Sequence, residues 1–293
     1  MNTKQGINVL SLFDGISIAQ LSLKKLKVPI ANYYSSEIDK NAIKVAQHHF
    51  PETKQLGDVR ILEGKSLPKI DLLTCGSPCQ DLSSLRKDRK GLEGDKSSLF
   101  FHALRLLQET QPKYWLFENV ASMSWTDRNR MDTLLGVEGV TINSNIISAQ
   151  NRHRIYWTNI PFTIPDNKYI VLDDIIEDGY TDRIKGLCVL TKNISHTKKG
   201  LVRYITKSIG NIVYIDKSFS DLSKTEKLNR IHNMSDAEAK ALFRLLYIGE
   251  LEKLQTLPAG YVDDILKKTA STHAIGNGFT LEIIKHIFSS AKF

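Results

Sequence analysis

Two rhythms of apolar and polar positions run through the first half of the chain. Short strand-like runs occupy residues 8–12, 32–36, 71–75 and 114–117. Between them Ala42, Val45, Ala46 and Phe50 recur at helical spacing, as do Leu99, Ala103, Leu106 and Leu107. Strands alternating with helices predict an α/β domain built on a parallel sheet. In such sheets ligands collect beyond the carboxyl ends of the strands, which directs attention to the residues that follow each run. From about 161 to 240 the pattern gives way to short polar and β-branched stretches, with charge scattered through 181–185, 198–207 and 216–230. A last helical pattern, Leu281, Ile284, Ile287 and Phe288, follows Gly276-Asn277-Gly278, and its apolar face needs the core of the large domain. The expected organisation is a larger domain of residues 1–160, completed by 258–293, and a smaller one of residues 161–257.

Composition narrows the setting. No apolar run approaches the roughly 20 residues needed to cross a bilayer, and Met1-Asn2-Thr3-Lys4 leads into the first strand without a signal-peptide core, so an intracellular, cytoplasmic protein is expected. The three cysteines, Cys75, Cys79 and Cys188, cannot all pair and are too few for a disulfide scaffold or a usual zinc site. A functional cysteine here is therefore a thiol, and no metal site is expected. The formal charge of +8 suits a polyanionic partner, because Lys and Arg neutralise phosphates and release counterions.

Chemistry gathers at the strand ends. Phe13, Asp14 and Gly15 follow the first strand and lead into a helix at Ile16 and Ser17, a strand-loop-helix unit of the kind that cradles nucleotides. The later glycines of a dinucleotide fingerprint are missing, which argues against NAD or FAD. Glu37 ends the second strand, where a carboxylate accepts from ribose hydroxyls, and Asp58, in Gly57-Asp58-Val59, is expected to end the next strand, where one accepts from an adenine amino group. Either one alone more often caps a helix or sits in a turn. Gly76-Ser77-Pro78-Cys79-Gln80 places the Cys79 thiol in a tight loop after the third run, whereas Cys75, inside the strand, fits a small buried core residue. Glu118 follows Tyr114-Trp115-Leu116-Phe117 and faces the same crevice; its aromatic flanks predict a partly desolvated carboxyl able to donate a proton. Farther on, Arg152 and Arg154 precede a strand expected at 155–157, and alternation puts them on one face, as a solvated surface or a phosphate contact.

Taken in order, Phe13-x-Gly15, Glu37, Gly57-Asp58, Pro78-Cys79-Gln80, Glu118-Asn119-Val120, Gln150-x-Arg152-x-Arg154, Arg244-x-Leu246, Glu250, Leu254-Gln255, Pro258 and Gly276-Asn277 resemble the cytosine-5 DNA methyltransferase family. The resemblance spans residues 8–160 and about 244–290. It implies a Rossmann-like domain that binds S-adenosyl-L-methionine, a small target-recognition domain, and base flipping on double-stranded DNA. Cys79, Glu118, Arg152 and Arg154 are the implied catalytic residues. Phe13, Asp14, Gly15, Ile16, Glu37, Ile38, Asp58, Val59, Pro78 and Asn277 are the implied cofactor site. Cys79 would attack carbon 6, Glu118 hold ring nitrogen 3 and Arg154 contact the flipped base. A protein acting as a monomer, with a restriction endonuclease of the same system as partner, fits this picture. Ser17 and Ile18 replace glycines usual in the family, and Phe13-Asp14-Gly15-Ile16 looks like its de novo branch. Two alternatives share the fold: a transfer-RNA cytosine-5 methyltransferase, and a catalytically inactive regulatory homologue, which would be expected to lose Cys79, Glu118 or Arg154.

Overall fold

A computed structural model describes residues 6–80, 82, 91–94, 97–191 and 194–293; the reading made on Met1 to Lys4 lies outside them. The chain forms two units, one of Met1–Asn143, His153–Pro165 and Phe279–Phe293, the other of Ser144–Arg152 and Asp166–Gly278.

The first unit alternates β1 (Ile7–Leu12), α1 (Ile18–Lys25), β2 (Ile30–Ser36), α2 (Lys40–His49) and β3 (Lys54–Gln55). It continues with β4 (Leu72–Cys75), α3 (Leu99–Thr110), β5 (Tyr114–Val120), α4 (Trp125–Leu135), β6 (Val140–Asn143) and β7 (His153–Thr158). One seven-stranded sheet in the order β3-β2-β1-β4-β5-β7-β6 results. The strands from β3 to β5 are parallel, and β7 runs antiparallel to β5 and β6. Val9, Leu10, Leu12, Leu72 and Leu73 are all buried, as strands covered on both faces require. Because β2 and β4 flank β1 on opposite sides, the order reverses at β1, the switch point at which open α/β sheets bind ligands.

All four expected strands are present. The last is longer than its apolar core, because β7 pairs with it from Leu116↔Thr158 to Val120↔Arg154 and draws Glu118 and Asn119 into the strand. Asp39 caps α2 by accepting from the Asn41 and Ala42 N–H groups. α3 buries Phe100, Ala103, Leu104 and Leu106, with Leu99 and Leu107 at the margin of that face.

The second unit holds α5 (Lys198–Lys207), β8 (Ile212–Tyr214), α6 (Lys217–Ser220), α7 (Lys224–His232), α8 (Asp236–Ala241), β9 (Phe243–Leu245), α9 (Ile248–Leu254) and α10 (Lys268–Asn277). β8 and β9 pair antiparallel, and Ile194, Leu201, Tyr204, Ile212, Tyr214, Phe219, Ile231 and Phe243 close around them as a separate core. The chain then returns to the first unit as α11 (Leu281–Ser289), which packs against α1 and buries Leu281, Ile284, Ile287 and Phe288. The return begins at Phe279, not at 258, and residues 144–152 side with the second unit. Side-chain bonds of Gln150 and Arg152 account for that. Gln150 donates to the Leu254 carbonyl (2.9 Å) and accepts the Val189 N–H (2.7 Å), and Arg152 donates to the carbonyls of Gly276 (3.2 Å) and Gly278 (2.9 Å). Among the described residues no helix is long and apolar enough to cross a membrane.

Candidate active site

The loop after β1 turns through three left-handed residues, Phe13 (φ 54°), Gly15 (φ 59°) and Ser17 (φ 60°). Its edge is fixed from β2: the Gly15 N–H donates to Glu37 Oε2 (2.8 Å), while Glu37 Oε1 accepts from the N–H groups of Ile38 (2.7 Å) and Asp39 (2.8 Å). Phe13 is half-buried against the core, and the Ile38 side chain is 66% exposed. A Cβ added to Gly15 or Gly57 would meet nothing within 4 Å, so there is open space over both turns. An exposed apolar side chain, a half-buried ring and a carboxylate around open backbone turns fit an adenosine-containing cofactor.

Three of the expected cofactor contacts point elsewhere. The Ile16 side chain is fully buried and Val59 nearly so, as parts of the core. Asp14 is also buried; its carboxylate lies beneath the loop, where it accepts from the hydroxyls of Ser11, Ser17 and Tyr33. Burial pushes its pKa up, and those three donors pull in the opposite direction. Asp58 does not end a strand, since β3 stops at Gln55. It caps the short turn Val59–Ile61, and its carboxylate is engaged by the Arg60 side chain, whose hydrogen bonds hold it below the usual carboxylate range.

Beyond β4 the chain passes Gly76, where a Cβ would lie 2.8 Å from the Phe279 ring, so only glycine admits that packing. Asn119 on β5 then donates to Ser77 twice, to its carbonyl (3.2 Å) and its hydroxyl (3.1 Å), and ties the Cys79 loop to the neighbouring strand. Cys79 itself is half-buried, whereas Cys75 is fully buried and burial pushes its thiol pKa far up, which leaves it unreactive. Pro78 is half-buried in the same loop.

β4 and β5 pair in parallel with Cys75 opposite Phe117, so the Cys79 loop and Glu118 stand at adjacent strand ends. Arg154 Nε meets Glu118 Oε1 at 2.8 Å in an ion pair largely closed to solvent. The pairing of Val120 with Arg154 makes Glu118 and Arg154 diagonal neighbours on one sheet face. Arg152 has other partners, the carbonyls of Gly276 and Gly278. It precedes β7, is only 3% exposed, and belongs to the second unit together with Asn277, which ends α10. The strand expected at 155–157 begins earlier, at His153, so that it takes in Arg154 and leaves Arg152 before it.

Several motif residues given no role from sequence turn out to be scaffold. Gln255 donates to the carbonyls of Ile275 (3.0 Å) and Gly278 (3.2 Å), and a Cβ on Gly276 would stand 2.8 Å from the backbone of Leu190 and Thr191. Arg244 makes a two-pronged bond to the fully buried Glu250 (2.8 and 2.7 Å), and Glu250 also takes the Glu177 and Tyr247 N–H groups. Their amide, carboxylate and guanidinium types at sites flanked by apolar residues were the available signal for buried hydrogen-bonding partners.

A family model described as C-5 cytosine-specific DNA methylase matches residues 7–292. The orphan methyltransferase M.Rho11sI of Bacillus phage rho11s is 32% identical over 238 residues, 76% of this chain and 47% of that protein. The type II methyltransferase M.NgoBI of Neisseria gonorrhoeae is 33% identical over 186 residues, 58% of this chain and 57% of that protein. The chain spans about half the length of the curated relatives it matches. Among solved structures, the Entamoeba histolytica methyltransferase EhMeth aligns over 99% of this chain and 100% of its own with a TM-score of 0.71 at 15% identity. The S. pombe Dnmt2 methyltransferase aligns over 97% of each chain with a TM-score of 0.68 at 16% identity. At those identities the likeness is one of fold.

Proposed function

The chain belongs to the C-5 cytosine-specific DNA methylase family, and from that premise we propose that it methylates carbon 5 of a cytosine in double-stranded DNA through a covalent bond between Cys79 and carbon 6. Members of the family use S-adenosyl-L-methionine, which supplies an electrophilic methyl group when bound. Phe13, Gly15, Glu37 and Ile38 would hold it, with Asp58 available if Arg60 shares its carboxylate. The observation that carries the reading is the parallel register of β4 and β5, which supports a nucleophile and an acid-bearing pair acting on one base.

Carbon 5 of cytosine is a poor nucleophile. Addition of the Cys79 thiolate to carbon 6 moves the 5,6 electron pair onto carbon 5, the usual gain of an activated nucleophile. Glu118 then hydrogen-bonds ring nitrogen 3, and Arg154 stabilises charge on the exocyclic oxygen. With five donors, the guanidinium can keep Glu118 oriented while it reaches the base. Once carbon 5 carries the methyl group, its proton leaves to a base and the sulfur–carbon bond breaks, which regenerates the thiolate. A stacked base cannot enter such a site, and flipping costs a few kcal/mol that protein–DNA contacts must offset. The second unit is the part assigned to target recognition.

The test is a covalent trap. Fluorine at carbon 5 cannot leave as a cation, so DNA containing 5-fluorocytosine in its target site should remain attached to the wild-type protein in the presence of S-adenosyl-L-methionine. Cys79→Ala should yield no denaturation-resistant adduct. An adduct mapped to Cys75 or Cys188 would overturn the mechanism, and trapping by transfer RNA in place of DNA would overturn the substrate.

A further inference from the structure

We propose that Asp14 is a positioning residue: its buried carboxylate holds Ser17 in the left-handed conformation that shapes the β1 loop for S-adenosyl-L-methionine. The proposal rests on the cofactor placement given above. Three of five consecutive residues, Phe13, Gly15 and Ser17, have φ between 54° and 60°. Only glycine adopts that conformation freely, so at Phe13 and Ser17 something else must fix it.

At Phe13 the N–H donates to the Ser36 carbonyl of β2 (2.8 Å), and at Ser17 the side chain of Asp14 is placed to do so. Its Oδ1 accepts from the hydroxyls of Ser11 (2.5 Å) and Tyr33 (2.8 Å), and its Oδ2 accepts from Ser17 (2.5 Å). Ser11 and Tyr33 belong to β1 and β2, and the Thr74 hydroxyl of β4 donates to Ser11 Oγ (2.9 Å), so three strands anchor the carboxylate. The Ser17 N–H also closes a turn onto the Asp14 carbonyl (3.1 Å). Serine at the start of a helix ordinarily accepts from a first-turn N–H, but Ser17 makes no cap bond to α1 and turns its hydroxyl back to Asp14. Asp14 is 6% exposed and cannot itself touch a ligand. Its effect reaches the cofactor through Phe13 and Gly15, which flank it.

Glycine at position 17 adopts the left-handed conformation without help, and this supplies a test that separates positioning from simple stability. The full chain is titrated with S-adenosylhomocysteine by calorimetry, with urea unfolding measured alongside. Asp14→Asn should raise Kd about tenfold, the cost of holding one non-glycine residue left-handed. Adding Ser17→Gly should return Kd to that of Ser17→Gly alone, while the unfolding midpoint stays low. A Kd that Asp14→Asn leaves unchanged, or that Ser17→Gly fails to restore, overturns the proposal. Phe13→Ala reports on the placement beneath it: unchanged binding there removes the premise, whereas lost binding with normal Asp14→Asn affinity removes the positioning role alone. Should Asp14→Asn not fold, Tyr33→Phe deletes one donor and keeps the ring. It should raise Kd about threefold, the worth of one hydrogen bond, and Ser17→Gly should again reverse it; an unchanged Kd or a failed reversal counts against Asp14.

Discussion

Arg152 and Arg154 stand two residues apart and have opposite surroundings. The Arg152 guanidinium is buried against two carbonyls and the Cys188 sulfur, so it satisfies backbone acceptors that helix α10 and its exit leave open. Arg154 is paired to Glu118 at the strand end beside the Cys79 loop. Lysine keeps the charge at either site but lacks the planar fork, so the two lysine variants should fail differently. Arg152→Lys should lower stability by about 1.5–3 kcal/mol, the range for hydrogen bonds to a charged group, with kcat per folded molecule preserved. Arg154→Lys should lower kcat by about a hundredfold, the scale of one lost electrostatic donor, with a small change in the urea midpoint. Denaturant titration beside single-turnover rates separates these outcomes, and a kcat loss equal in both variants would remove the distinction. From sequence the two were equivalent, because both were placed ahead of a strand starting at Ile155. The missing information was the start of β7 at His153, which is set by pairing with β5 and β6 rather than by local pattern.

At the scale of elements the sheet was legible and the second unit was not. Buried parallel strands are written as short apolar runs, and β1, β2, β4 and β5 fall where those runs predict. Residues 161–257 hold short helices whose polar faces dilute the apolar period, yet Ser223-x-x-Glu226 and Ser235-x-x-Glu238 are capping boxes that mark the starts of α7 and α8. These helices depend on a buried polar centre as well as on apolar contacts. Asp182 accepts from Lys227 Nζ (2.8 Å), Tyr204 (2.5 Å) and Tyr214 (3.1 Å), which ties α5, α7 and β8 together. Burial opposes its ionisation, but the Lys227 and Tyr204 bonds outweigh burial and hold the carboxyl below its ordinary value of 3.8. A carboxyl with a depressed folded pKa stabilises fully above its unfolded pKa and loses that contribution as pH falls through the folded value. Hydrogen-exchange protection of α5 and α7 should accordingly be flat near neutrality and decline below about pH 4. In Asp182→Asn it should be lower throughout and lack this component of the decline; parallel pH profiles for the two proteins would show that Asp182 is not the responsible group.

Across the whole molecule, the two units divide sheet chemistry from a core that owes nothing to the sheet. Residues 180–243 carry that second core, the Asp182 centre and the Tyr180↔Tyr214 bridge as one set. The framework around them stays outside the segment: Gln150, Arg152, Arg244, Glu250, Gln255 and Gly276 bond to one another or to nearby backbone. Within the segment, Gly186 and Val189 meet residues 149–151 through main-chain groups, which any sequence of the same fold supplies, whereas Thr181, Lys185 and Cys188 bond outside it through their side chains and are kept in the exchange. An exchange of residues 180–243 for the corresponding part of a type II relative should therefore fold. If base contacts lie there, each good one is worth about 1–3 kcal/mol of discrimination, enough for a few to fix the target. Bisulfite sequencing of DNA from cells expressing the chimera should then report methylation at the donor's sequence, with Cys79 still required. A chimera that methylates the sequence of its sheet-bearing parent would place target choice outside residues 180–243, while one that methylates both would divide the reading between that segment and the rest.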